Sequence, residues 1–410
     1  MKLSTLRRAA LLPSALALLL AASACAPSSA PAGTATSPSA PSTSDAHGID
    51  AGAAAEVATP ALALAIADRD GEVMLLDLAS EERSTLAVAD SDVTGVFGDG
   101  RLVFRAHADG DEASVEVIDS ARWTMPHGDH THSFRGEPRS LGRIEGDGEV
   151  RATTSGQRTT VAFAGGDLVL LAHDDLGETV DATPRLVVDA SGPVMPFADR
   201  LLVPTAGSSI EIFDLSGDPA PGEGAACTGA SDADTTRVGA VFTCDSGAVL
   251  FTREVGGALA AEPIPFPVEA PPSTTLSGRA DRPDLAGVAG EVGAWLLDVR
   301  ERRWTLLRSE VPLIRAVALG DDGSRTAALD IDGRVRVLAP DGEVLVRTEP
   351  LLAASVADPD LRDRVQLVVD ARHAYLTDPA SGSVHEIDHR DGRVARTFTD
   401  LDPWFVQQVG

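Results

Sequence analysis

The chain has 410 residues, with 62 acidic side chains against 34 basic ones and a formal net charge of −28. That balance excludes the basic patches that nucleic-acid phosphates demand and an electrostatic grip on anionic lipid. Cations are the more natural partners, and plain solubility of an exported surface accounts for much of the same charge.

The first residues carry Lys2, Arg7 and Arg8, then an apolar stretch from Ala9 to Ala22 interrupted by Pro13, then small residues ending at Cys25. This is the layout of a secretory signal, too short for a membrane span. Ala22-Ser23-Ala24 before Cys25 resembles the lipobox of bacterial lipoproteins, with Ala22 where leucine is usual. The resemblance implies cleavage after residue 24, lipidation of Cys25 and a protein held at the extracytoplasmic face of the membrane. Ordinary cleavage after Ala-Ser-Ala is the alternative. Residues 25–59 are almost entirely Ala, Pro, Ser, Thr and Gly, a composition that cannot bury enough apolar surface to offset the entropy of ordering, and they read as a tether.

From residue 60 to 410 one short pattern recurs: a Gly or Asp turn, a run of alternating β-formers, then another turn residue. It appears as DRDGEVMLLDL, DEASVEVIDS, GGDLVLLAHDD, GSSIEIFDLSG, DSGAVLFTRE, EVGAWLLDVRE, DIDGRVRVLAPDG and SGSVHEIDHRDG. Anchored at Gly71, Ala113, Gly166, Gly207, Gly247, Gly293, Gly333 and Gly382, the intervals are 42, 53, 41, 40, 46, 40 and 49 residues. This spacing suits four-stranded propeller blades, none of which can bury its apolar face alone. The fold expected is all-β, a single β-propeller of about eight blades, or seven if the unit around Phe251 is irregular. The final DPWFVQQVG is expected to pair with the first strand, near residues 61–77, closing the ring without an edge.

The longest interval contains TMPHGDHTHSFRGEPRSLG, in which His127, Asp129, His130 and His132 fall within six positions. Imidazole and carboxylate are preferred zinc ligands, Gly128 lets the chain turn, and alternate residues of an extended segment place His130 and His132 on one side. One hexapeptide rarely closes a tetrahedral site, so a distant ligand or water is needed, with His107 and with His173 and Asp174 as candidates. An exposed polar loop is the competing reading. His373, His385 and His389 read as ordinary blade residues, and His47 lies in the tether. Imidazole also suits copper and nickel, so the cluster alone does not choose the metal. There is no GxSxG, HExxH, phosphate-binding loop or GxGxxG, and an enzyme is unsupported.

With Cys25 lipidated, Cys227 and Cys244 remain as a pair in an oxidising compartment, where a disulfide is the default. It would close a loop of 17 residues, stabilising by about 3 kcal/mol in the loop-entropy account. A thiolate metal site is the rival, without CxxC spacing to support it.

HGDHTHSFRGEPRSLG, the two cysteines around VFTCDSGAVLF, and the ending HAYLTDPASGSVHEIDHRDGRVARTF together resemble the AztD-type zinc metallochaperones. The resemblance runs, with gaps, from about Ala61 to the C-terminus. It implies an exported β-propeller that carries zinc as cargo to the solute-binding protein of a zinc ABC transporter, with His127, Asp129, His130 and His132 matching the family motif. Three departures stand out. The family's further histidines, at places corresponding to Val150 to Ala162 and Val194 to Asp199, are absent, the aromatic residues after the motif are reduced to Ser133-Phe134, and the His-rich N-terminal segment is represented by His47 alone. A metal-free anchored propeller that binds a protein or glycan is the alternative function.

Overall fold

The computed structural model describes residues 54–109, 112–127, 130–180 and 185–410, with only the main chain of Asp109, Pro126 and His127. The signal, Cys25, most of the tether, His47 and Asp129 lie outside the described residues.

Alternating β-formers between Gly and Asp turns form short antiparallel strands, and among the described residues eight of the nine sheets they build are blades that follow one another in chain order. Blade 2 is typical: Val93–Gly98 is innermost, followed outward by Leu102–Asp109, Glu112–Asp119 and Arg139–Asp147. The turn residues act through backbone conformation and side-chain acceptors. Gly333, at φ 77°, sits against the Leu352 backbone so closely that an added Cβ would lie 2.8 Å from its carbonyl carbon. In the same turn Asp330 accepts hydrogen bonds from the Asp332 and Arg334 amides. Asp68 and Asp77 do likewise in blade 1, so part of the acidic composition is turn architecture.

Each blade packs on the next through its own apolar cluster. Leu102, Phe104 and Val117 of blade 2 meet Val161 and Leu171 of blade 3, and Leu329 and Val337 of blade 7 meet Leu376 and Ile387 of blade 8. The last blade meets the first, with Tyr375 and Val384 against Leu64, Leu76 and Val406. Phe405–Val409 pairs antiparallel with Ala63–Ala67, so both ends of the chain share blade 1 and the ring closes as expected.

The unit around Phe251 is a regular four-stranded blade, Asp232–Thr235 through Leu259–Pro265. The irregular unit is the following one, with three strands, Asp284–Val288, Gly293–Asp298 and Arg303–Arg308. Before it runs PVEAPPS, whose prolines cannot donate to a ladder, and only an isolated bridge joins Ser277 to Ala286. Trp295 and Trp304 pack on Phe266 and donate to the Pro271 and Ile264 carbonyls. Cys227 and Cys244 form a disulfide between blades 4 and 5, with Cα atoms 5.3 Å apart. No helix among the described residues is long and apolar enough to cross a membrane.

Candidate metal centre

The extra length in the 53-residue interval is a hairpin inserted between the third and outermost strands of blade 2. Its strands, Arg122–His127 and His130–Arg135, pair antiparallel, and Ala55–Val57 adds to the edge of the second to make a three-stranded sheet apart from the blades. That added strand falls inside the stretch read from the sequence as tether.

The hairpin base is pinned to the ring by buried charge. Arg122 donates to Asp77 at 2.8 Å and to the Ala61 carbonyl at 2.8 Å. Arg101 binds Asp119 through two nitrogens, at 3.0 and 2.9 Å, and its guanidinium lies 3.8 Å above the Trp123 ring. Trp123 in turn stacks on the fully buried Phe134, with centroids 5.1 Å apart. For Asp77, burial works against the charge, but the Ser80 amide, Arg122 and the Ala79 amide outweigh it and hold the carboxyl at about 2.

Toward the tip, the register places Met125 opposite His132 and His127 opposite His130. Strand alternation brings His130 and His132 to one face, where their Nε2 atoms stand 3.0 Å apart. His132 is buried and His130 exposed. Behind His132, its Nδ1 lies 2.6 Å from Glu56 Oε1 on the added strand. Zinc–nitrogen bonds of 2.0–2.1 Å in a tetrahedron put two nitrogens about 3.3 Å apart, so the pair needs only a slight opening to share an ion. Among the described residues no group of three or more His, Cys, Asp or Glu is arranged around one metal position. The described hairpin thus contributes two imidazoles, while the His127 side chain and Asp129 lie outside what is described.

Neither distant candidate joins the His130/His132 pair in a metal-holding group among the described residues. His107, in Leu102–Asp109, is buried with neither ring nitrogen hydrogen-bonded, and Nδ1 is 3.7 Å from Asp90. Burial first, then Arg143 and Arg105, holds its pKa down. His173 Nε2 contacts Thr159 at 2.9 Å and Asp99 at 3.2 Å. Thr159 and Asp99 share that one ring nitrogen, so the trio is not a nucleophile–base–acid relay, which needs its hydroxyl and carboxylate on opposite ring nitrogens. His173 faces a cavity of about 740 Å³ whose wall includes Asp99, Arg101, Trp123, Asp232 and Asp234. His373 and His385 stand on strands of blade 8, and His389 is buried just beyond them.

Glu56 is the site residue that the sequence reading missed. It is the only charged side chain between Asp50 and Asp68, an isolated carboxylate before Val57, and that was its one visible signal.

No family model and no curated protein matches the chain. Apo AztD from Citrobacter koseri superimposes with a TM-score of 0.71 at 18% identity, covering 86% of this chain and 98% of that one. A crystal structure of Citrobacter koseri AztD gives 0.71 at 17% identity over the same shares. The fold is that of AztD. With nearly all of AztD covered, the likeness extends around the ring rather than over a few blades.

Proposed function

We propose that the protein is an extracytoplasmic zinc carrier, anchored to the membrane through lipid on Cys25, that passes its ion to the solute-binding protein of a zinc ABC transporter. The observation that carries this reading is the facing His130 and His132 Nε2 pair, 3.0 Å apart on a hairpin that exceeds what a blade needs. The HGDHTH resemblance to AztD-type metallochaperones and the AztD fold support it. His127 and Asp129 are the remaining ligands in this reading, and exposed His130 is where a partner's ligand would enter. Transfer proceeds by ligand exchange, without hydrolytic or redox chemistry, and zinc is cargo.

The test is competition for zinc against a chromophoric chelator, comparing the mature protein with the His130→Ala/His132→Ala double variant. About one tightly bound ion, lost in the variant, is expected. Binding no tighter than micromolar in the wild type, or undiminished in the variant, would remove the carrier reading and leave an anchored interaction propeller.

A further inference from the structure

Glu56 reaches the hairpin from a strand of three residues, Ala55–Val57, paired to Ser133–Arg135 with Glu56 opposite Phe134. Its Oε1 meets His132 Nδ1 at 2.6 Å, and the opposite ring nitrogen faces His130. An ionised carboxylate only accepts hydrogen bonds. Nδ1 of His132 therefore carries a proton, and in the neutral ring this leaves the Nε2 lone pair directed at His130. Without a metal, the 3.0 Å contact between the two Nε2 atoms is a hydrogen bond in which His130 donates.

We propose that Glu56 is a positioning residue for the metal centre: it holds His132 in the Nδ1–H tautomer and fixes the ring so that Nε2 is ready to ligate. This deepens the carrier reading and rests on it. A carboxylate behind a ligating imidazole orients the ring and raises its basicity, and loss of such a partner weakens metal affinity about 10- to 100-fold. Main-chain pairing holds the strand in place whatever side chain stands at residue 56, so the contribution of the carboxylate can be separated from that of the strand.

The experiment uses the full mature protein with Glu56→Ala and Glu56→Gln, reading zinc affinity by chelator competition and, on metal-free protein, the His132 tautomer by long-range proton–nitrogen NMR. The expected result is Nδ1–H in the wild type, a shift toward Nε2–H in E56A with a 10- to 100-fold loss of affinity, and recovery of both in E56Q, whose amide oxygen still accepts. An E56A protein that binds zinc like the wild type, or a His132 tautomer unchanged by E56A, overturns the role of Glu56. A wild type that fails to bind zinc overturns the carrier reading instead, and the metal-free spectra then decide alone whether Glu56 sets the tautomer.

Discussion

Asp234 stands two residues from Asp232 on the inner strand of blade 5, in the wall of the cavity. Burial, joined by the charge of Asp232, pushes its carboxyl up to about 7. An unfolded aspartate titrates near 3.9, so the fold favours the protonated form. Stability is greatest below that value and declines as pH rises through the interval up to about 7. Asp234→Asn should therefore raise the melting temperature at pH 8 and change it little at pH 4.5, as thermal melts at both would show. An equal shift at both pH values would contradict this account. The sequence displayed the abundance of acid but not its division into turn acceptors such as Asp330 and cavity-facing groups such as Asp234, because that division depends on which strand is innermost.

At the scale of elements, the hairpin depends on its anchorage. Arg122 and Asp77, both buried, come from the hairpin's first strand and from blade 1 and meet at 2.8 Å. Arg122→Ala would leave a buried carboxylate short of its principal cation, and a loss of about 3 kcal/mol is expected from denaturant unfolding; a loss below about 1 kcal/mol would mean that water replaces the arginine. The hairpin was legible as 53 residues where its neighbours have about 40, and the His130/His132 face followed from strand alternation. Its third strand was not legible, since Ala55–Val57 is only three residues long, lies inside the tether-like stretch and pairs with residues 76 or more positions away. Blade 6 shows the converse: its prolines were in view, but the contacts of Trp295 and Trp304 with Phe266, Pro271 and Ile264 exist only in the folded ring.

For the whole molecule, closure is the decisive feature. Phe405–Val409 pairs along its full length with Ala63–Ala67 and buries Val406 and Val409 almost completely. Removing residues 405–410 would expose the Ala63–Ala67 edge and forfeit, from those two valines alone, about 3–6 kcal/mol of burial. A markedly lower melting temperature and association by size-exclusion chromatography are expected; an unchanged melt would show that the remaining blades hold the ring unaided.

The sequence by itself determined the all-β blade repeat and the position of the extra segment in blade 2, because these are written in short-range alternation, turn residues and counts; the closing strand and the Cys227–Cys244 disulfide were expectations that the structure bears out. Only the tertiary structure decided that Glu56 stands behind His132, that His107 and His173 have other surroundings, and that Asp234 faces the cavity. Those are contacts between residues far apart in the chain, and they exist only once eight blades have stacked into a closed ring and set which strand ends meet.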